Sequence, residues 1–307
     1  MNHFPNQISF LLAPISLLFL LLPVISIPAE SAYGGVLLVQ GVVGTETGRP
    51  ATELEKAVRA VRESYYYPVD GRDVAALPKT SLEDLVNALD KDSGIVNRSP
   101  SSLEFVRGLR PEDSVAKAEL IERGLDYIGY IRIRFFGRRT GPDYKKRMGD
   151  LGDMSGLIID LRDNPGGRLQ GALEVLGSFV PAGGLLLTEV RRDGREQYFS
   201  HTKVIPTLTE DVPIVVLINS STASSAEIVA ATLRYYKNAV IVGQKSHAKG
   251  TVQKVIPLSA NKTLLLTTGE YILVDGSSLK DTGIVPDHVV EGEKEQFDTA
   301  LSILTGL

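Results

Sequence analysis

The chain has 307 residues, of which 43% are hydrophobic and 23% are charged, and its formal net charge is −4. This length and apolar content suffice for a globular protein with one large domain or two small ones. Lys and Arg form no stripe and no cluster interleaved with aromatic residues, so nucleic-acid binding is not expected. The absence of cysteine excludes disulfides, thiolate metal sites and a thiol nucleophile.

The histidines do not show the spacing of a metal site. Two imidazoles on one face of a helix require an H-x-x-x-H or H-E-x-x-H pattern. No such pair occurs among His3, His201, His247 and His288. We therefore expect no metal site, and the sequence indicates no other cofactor.

The amino-terminal segment contains an apolar run of membrane-spanning length. Residues 8–27 carry no charge and are followed by the small residues Ala29, Ser31 and Ala32. The length of the run favours a retained membrane anchor, whereas the small residues favour a cleaved signal peptide, and a buried core helix is the least favoured alternative. Both of the first two alternatives place the rest of the chain outside the cytoplasm, in the periplasm or secreted. In the anchored form, residues 8–27 are a membrane tether.

Composition and periodicity divide the chain into four regions. We predict a signal peptide or anchor in residues 1–31, a linker in 32–50, a helical region in 51–123 and the main core in 124–307. The linker assignment rests on its glycine content.

Two helices are predicted in the helical region. Apolar residues recur at i, i+3, i+4 and i+7 in the segment that starts at Leu54, which is the pattern of an amphipathic helix that ends at Pro68. A second helix is predicted after Ser81, because its hydroxyl can cap the helix and Asp84 follows three residues later.

Beyond Gly124 the pattern changes to strands that alternate with helices. Apolar runs such as LIIDLR, LLLTEV and PIVVLIN are separated by amphipathic segments. Helices are predicted at 142–151, 169–180, 225–236 and 296–304. This alternation predicts an α/β core with buried parallel strands.

A cluster of hydroxyl residues follows the run PIVVLIN at a predicted strand-to-helix junction. Backbone N–H groups at a helix start have no helical partner and can hold a developing oxyanion, so a serine there is a candidate nucleophile. The alternative is that these hydroxyls only cap the helix, and the stretch by itself favours capping. The cluster consists of Ser220, Ser221, Thr222, Ser224 and Ser225.

A glycine pair follows the run LIIDLR. Gly166 and Gly167 have no Cβ, so their backbone can approach a ligand and point an N–H group at an oxygen atom. The alternative is an ordinary turn that is braced by an ion pair between Asp160 and Arg162.

A polar loop with two lysines, VGQKSHAKGTVQ, joins two predicted strands. To accept a proton from a serine at neutral pH, Lys249 has to be neutral, which burial in an apolar site favours. The alternative is that Lys249, like Lys245, is a solvated surface charge.

In this order, the three stretches resemble the carboxy-terminal processing proteases, also called tail-specific proteases, which are serine peptidases with a Ser/Lys dyad. The resemblance covers residues 127–290 and, more weakly, the helical segment LVNALDKDSGIVNRSPSSLEF. Alignment of Glu227 with the family's Ser-Ala-Ser-Ala-Ser-Glu run makes Ser224 the nucleophile. The family's Gly-Lys-Gly-x-Val-Gln loop makes Lys249 the general base and Gln253 the residue that orients its amine.

The resemblance also implies the fold and the oxyanion donors. The expected fold is α/β, with a core rich in parallel sheet, built from ββα units as in crotonase and Clp proteins, and a small amino-terminal helical subdomain. Residues 124–307 are then a serine peptidase catalytic core. The backbone N–H of Gly166 or Gly167 and that of Ser225 are expected to hold the oxyanion.

Three features depart from the family pattern. The lysine loop reads SHAKG where the family has an aromatic residue and a glycine, so His247 and Ala248 occupy unusual positions. Ser225 stands where alanine is usual. About twenty residues separate the helical segment from the core, which is too few for the family's PDZ domain.

The expected function is that of an exported serine endopeptidase that cleaves protein or peptide substrates near their carboxyl termini through an acyl-enzyme. Without a PDZ domain, a partner that delivers the substrate is one way to supply it. One alternative is a catalytically silent relative that acts as a peptide-binding or scaffold module. Others are a Ser-His-Asp triad with His247 or His288 as base, and a crotonase-like enzyme that acts on acyl esters.

Overall fold

After the first two helices, single strands or runs of three or four strands separate the helices in the described part of the chain. The computed structural model describes residues 50–67, 81–100, 114–201 and 212–306, which all belong to one compact unit, Tyr33–Leu307. Its helices are α1 (Glu53–Ser64), α2 (Leu82–Asn87), α3 (Thr140–Leu151), α4 (Leu169–Leu176), α5 (Ser225–Lys237) and α6 (Glu293–Thr305). Its strands are β1 (Gly94–Val96), β2 (Val115–Arg123), β3 (Asp126–Ile133), β4 (Gly156–Asp160), β5 (Leu185–Arg191), β6 (Gly194–Phe199), β7 (Ile214–Ile218), β8 (Val240–Gly243), β9 (Thr251–Ser259), β10 (Lys262–Ile272) and β11 (His288–Val289).

A six-stranded sheet in the order β11-β8-β7-β4-β3-β2 contains the apolar runs of the core. Its strands from β11 to β3 pair in parallel, and β2 is antiparallel to β3. Every residue of β4 and β7 is buried. Continuous burial is typical of parallel strands that are covered on both faces.

Helices cover both faces of this sheet. Leu157 and Ile159 of β4 belong to a core cluster that includes residues of α3, α4 and α5, whereas Ile158 packs in a second cluster with Ala300 and Leu301 of α6. Successive side chains of a strand point to opposite faces, so one apolar run serves both clusters. This arrangement confirms the predicted α/β fold.

A second sheet is antiparallel and contains β1, β5, β6, β9 and β10. The interpretation of LLLTEV, which forms β5, as one of the parallel strands is therefore wrong. Two residues separate β5 from β6, and Arg191 pairs with Gly194, so the two strands form a hairpin. Such a short connection joins only antiparallel strands, and a short apolar run does not distinguish the two kinds of sheet.

The two predicted amino-terminal helices are present and pack on the second sheet. Thr52 caps α1 and exchanges hydrogen bonds with Glu55 in a capping box. Ser81 Oγ accepts from the N–H of Asp84 at 3.0 Å at the start of α2. Val61 of α1 and the side chain of Leu85 in α2 are both completely buried in a cluster with residues of β9 and β10.

The region 51–123 also contributes strands, which its sequence pattern did not indicate. β1 pairs with β10 of the second sheet, and β2 forms the edge of the six-stranded sheet beside β3. Most positions of β2 are exposed or half-buried, and charged residues such as Lys117 and Glu119 interrupt its sequence, so no apolar run marks this strand.

Several predictions from the sequence lie outside the described residues. These are the signal peptide or anchor in residues 1–31, nearly all of the linker in 32–50, and the part of the segment before the core that falls in 101–113. Across the ranges that the structure describes, none of the helices has the length and apolarity needed to cross a membrane.

The contact between the ends of β7 and β8 depends on a glycine. Gly243 has φ = +133°, and a Cβ at this position would lie 1.9 Å from the carbonyl oxygen of Ile218. Gly243→Ala is expected to lower the free energy of unfolding by roughly 2 to 4 kcal/mol, because backbone strain and overpacking add. Urea unfolding measures this loss.

Gly183→Ala is the matched control. Gly183 has φ = +85° but open space around its Cα, so only backbone strain is introduced, at about 1 kcal/mol. Equal losses of unfolding free energy in the two variants would show that the close approach between Gly243 and Ile218 adds no steric cost.

Candidate active site

Three loops meet at the carboxyl edge of the parallel strands. They follow β4, β7 and β8 and contain the three stretches that carry the predicted site residues. The N–H of Ala223 donates to the carbonyl of Asn164 at 2.9 Å, and the N–H of His247 donates to the carbonyl of Thr222 at 2.9 Å. The loop after β7 is therefore tied to both of its neighbours, as expected at an edge where parallel strands end together.

Ser224 lies at the junction between β7 and α5 in a strained conformation. It has φ = +55° and ψ = −123°, which is unusual for a residue with a side chain, and it is half-buried. Its N–H donates to Oε2 of Glu227 at 2.7 Å. Strained residues of this kind persist only where surrounding contacts hold them, and they are enriched at active sites.

Glu227 is completely buried and accepts four hydrogen bonds. Its Oε2 accepts from the N–H groups of Ser224 at 2.7 Å and Lys249 at 3.0 Å. Its Oε1 accepts from the N–H of Ala248 at 2.8 Å and from Oγ of Ser246 at 2.5 Å. Two N–H groups that donate to the same oxygen atom must lie close together, so this carboxylate brings the serine and lysine segments together.

The role of Glu227 had only a partial signal in the sequence. A glutamate three residues after a helix-capping serine is the S-x-x-E pattern of a capping box, and Ser224 and Glu227 fit it. In the family's serine run, Glu227 only marks the position from which Ser224 is identified. The donors from residues 246–249 come from a separate loop and carry no local signal.

Lys249 is half-buried, and its amine contacts Gln253. Lys249 Nζ lies 3.1 Å from Oε1 of Gln253. Nε2 of Gln253 in turn donates to the carbonyl oxygen of Asp92, in the loop after α2. The structure therefore brings together the two residues that the resemblance pairs, and it adds Asp92, for which the sequence offered no signal because the contact uses a backbone atom.

The unusual SHAKG loop keeps the backbone shape that a glycine would allow. Ala248 has φ = +70°, a left-handed conformation that costs about 1 kcal/mol for a residue with a Cβ. Its hydrogen bond to Glu227 holds it there. The side chains of Lys245 and His247 are exposed, and so is that of His288 in β11.

The predicted oxyanion donors differ in their hydrogen bonds. The N–H of Gly166 already donates to Oδ1 of Asn164 at 2.9 Å, and the buried Asn164 donates to the carbonyl of Ile133 at 2.8 Å. A Cβ on Gly166 would lie 2.8 Å from Cβ of Ser224, so glycine is required for this approach. Within the described part of the chain, the N–H groups of Gly167 and Ser225 donate to no acceptor.

Asp160 and Arg162 form a buried ion pair beneath the site. The distance between Oδ2 of Asp160 and Nη2 of Arg162 is 2.6 Å, and both side chains are almost completely buried. Tyr130 donates its hydroxyl proton to Asp160 at 2.7 Å, and burial raises the pKa of this phenol, with a further contribution from the Asp160 charge. Arg162 also donates to the carbonyl of Glu293 and to Gln296, which ties β4 to α6. The ion pair between Asp160 and Arg162 that the sequence suggested as a brace for this turn is therefore present.

Residues 127–290 match the family model of peptidase family S41, which is more than half of the chain. Together with an α/β core whose predicted serine and lysine segments share one carboxylate, this match defines the class of protein. The chain belongs to peptidase family S41.

Two relatives illustrate how far the similarity extends. A carboxy-terminal-processing protease of Bartonella bacilliformis is 38% identical over 170 residues, which are 53% of this chain and 39% of the relative. A carboxyl-terminal-processing protease of Synechocystis sp. is 32% identical over 192 residues, 58% of this chain and 44% of the relative. The chain thus spans less than half the length of these two relatives.

A solved structure shares the fold. A lipoprotein from Streptococcus agalactiae superposes with a TM-score of 0.62 at 22% identity, and the match covers 84% of this chain and 98% of the lipoprotein. The similarity at this identity concerns the arrangement of helices and strands.

Glu227→Gln tests whether this carboxylate joins the two segments. The amide nitrogen of glutamine cannot accept, so donors on one side lose their acceptor and the free energy of unfolding falls by roughly 2 to 4 kcal/mol. Urea unfolding measures the change. The exposed Glu295 in the first turn of α6 supplies the control, since Glu295→Gln is expected to change stability by less than about 0.5 kcal/mol. Wild-type stability in Glu227→Gln would contradict this role of the carboxylate.

Ser225→Ala tests whether the second serine matters. Ser225 Oγ is buried and has no hydrogen-bond partner, so its removal is expected to leave stability unchanged or raise it by about 1 kcal/mol. Covalent labelling with a serine-reactive phosphonate, followed by peptide mass spectrometry, is expected to persist in this variant at Ser224. Loss of labelling in a folded Ser225→Ala protein would identify Ser225 as the reactive serine.

Proposed function

We propose that this chain is a serine endopeptidase that cleaves protein substrates, with Ser224 as nucleophile and Lys249 as general base. The observation that carries the proposal is the shared carboxylate of Glu227, which binds the backbone N–H groups of both residues. Membership of peptidase family S41 supports the reaction class. The names of the two relatives support cleavage near the carboxyl end of a substrate, and the apolar run in residues 8–27 supports action outside the cytoplasm.

The proposed reaction has two steps. Neutral Lys249 takes the proton of the Ser224 hydroxyl while Oγ attacks the carbonyl carbon of a peptide bond. The Lys249 ammonium then returns this proton to the departing amine, and an acyl-enzyme remains on Ser224. Water, deprotonated by Lys249, hydrolyses the ester and restores both side chains.

The oxyanion is assigned to the N–H groups of Gly167 and Ser225. Both lack an acceptor in the described part of the chain, and Gly167 is an exposed residue. The N–H of Gly166 is committed to Asn164, so Gly166 contributes by allowing close approach to Ser224. Backbone donors that are already oriented stabilise a developing negative charge without reorganisation.

Hydrolysis of an unfolded protein by single-site variants tests the dyad. Ser224→Ala is expected to abolish cleavage, and Lys249→Ala to reduce kcat/KM by at least about 100-fold, the lower range for loss of a general base. Lys249→Arg is expected to be equally inactive, because a guanidinium does not deprotonate at the pH of the assay. Cleavage is measured from the release of fluorescent peptides.

Two matched variants in the same loop serve as controls. Lys245→Ala removes an exposed lysine and His247→Ala removes an exposed imidazole, and both are expected to retain activity. Loss of activity in His247→Ala with retention in Lys249→Ala would replace the dyad by a histidine-based mechanism. A folded wild type that neither cleaves nor reacts with the phosphonate would instead identify a catalytically silent scaffold.

A further inference from the structure

A polar turn after α2 reaches the neighbourhood of the proposed general base. The carboxylate of Asp90 accepts from the N–H of Asp92 at 2.9 Å and from Oγ of Ser93 at 2.7 Å. The carbonyl of Asp90 accepts from the N–H of Ser93 at 3.1 Å. An aspartate that binds its own backbone two residues later forms a stable local turn. We call residues 90–93 the Asp90 turn.

The Asp90 turn is bound to β10 and α1. Thr267 of β10 donates its hydroxyl proton to Asp90 at 2.9 Å, and its N–H donates to Oγ of Ser93 at 3.0 Å. The N–H of Asp90 donates to the hydroxyl of Tyr65, directly after α1, at 2.8 Å. Thr267 pairs with Gln253 across the β9–β10 ladder, so the turn is held beside the residue that contacts Lys249.

The turn determines which way the amide of Gln253 points. Nε2 of Gln253 donates to the carbonyl oxygen of Asp92, and a carbonyl oxygen only accepts. The Oε1 end of the amide therefore faces Nζ of Lys249. The side chain of Asp92 adds a second link to β9, since its Oδ2 accepts from the hydroxyl of Thr251 at 2.9 Å.

We propose that the Asp90 turn is a positioning element for the general base, which acts through Gln253 to hold the amine of Lys249 in its reactive orientation. None of its residues touches the reacting atoms. The amino-terminal region thereby becomes part of the catalytic unit instead of a separate appendage. This inference rests on the proposed function of Lys249.

A double-mutant cycle tests the proposal. Asp90→Ala is expected to lower the single-turnover rate of Ser224 acylation at saturating substrate on the order of 10- to 100-fold, because the reactive geometry is lost, with little change in KM. In the Gln253→Ala background, Asp90→Ala is expected to have no further effect, since both act on the same amine. Effects that multiply in the double variant would overturn the proposal.

Conservative and matched variants complete the comparison. Asp90→Asn keeps an acceptor for the N–H of Asp92 and is expected to restore most of the rate. Asp275→Ala removes an exposed aspartate that makes the same kind of turn, with bonds to the N–H of Ser277 at 2.9 Å and to its Oγ at 2.6 Å, and is expected to leave the rate unchanged. If Asp90→Ala does not fold, Ser93→Ala takes its place, because it removes the bond from Ser93 to Asp90 within the turn and the bond from Thr267 that ties the turn to β10.

A readout without catalysis separates this inference from the proposed function. The NMR signal of the Lys249 ε-methylene, assigned by its loss in Lys249→Arg, is expected to shift in Asp90→Ala and in Gln253→Ala and to stay in place in Asp275→Ala. A shift in the absence of any wild-type acylation would support the positioning role while rejecting the peptidase proposal. A signal that moves in Gln253→Ala but not in Asp90→Ala would overturn the positioning role, whatever the activity.

Discussion

The arrangement of the site depends on one buried carboxylate. Glu227 lies in the first turn of α5 and accepts hydrogen bonds from the segment of Ser224 and from the loop that carries Lys249. A buried charge is stable only when it is hydrogen-bonded, and here the donors are mostly backbone N–H groups of the two segments that have to meet. The same bonds hold Ser224 and Ala248 in backbone conformations with positive φ that neither residue adopts readily.

The parallel sheet supplies the frame within which this carboxylate can act. Because β4, β7 and β8 are parallel neighbours, their following loops emerge at one edge, and glycines at positions 166 and 243 allow the backbones to approach closely. The buried pair of Asp160 and Arg162 connects this edge to α6. The antiparallel sheet contributes the other side of the site through β9, which starts directly after the lysine loop and carries Gln253.

Sequence patterns predicted the parts of the fold that are locally encoded. The apolar runs of β4 and β7 and the helix α5 are where periodicity placed them, because strands buried on both faces need continuous apolar residues. The pattern failed for β5, since a short apolar run fits either kind of sheet, and it did not indicate the charged edge strand β2. Both failures concern which strands pair, and pairing depends on residues far apart in the chain.

The sequence by itself determined the family and the candidate residues Ser224, Lys249 and Gln253. The family's motifs consist of particular residue types at fixed spacings and in a fixed order, so they can be read directly from the sequence. The tertiary structure decided how these residues are held. Backbone atoms take part in three of the contacts that hold them. The N–H of Gly166 donates to Asn164, the lysine loop donates backbone N–H groups to Glu227, and the carbonyl of Asp92 accepts from Gln253. Backbone atoms are the same at nearly every position, so their partners carry no signature in the sequence and appear only when the chain has folded.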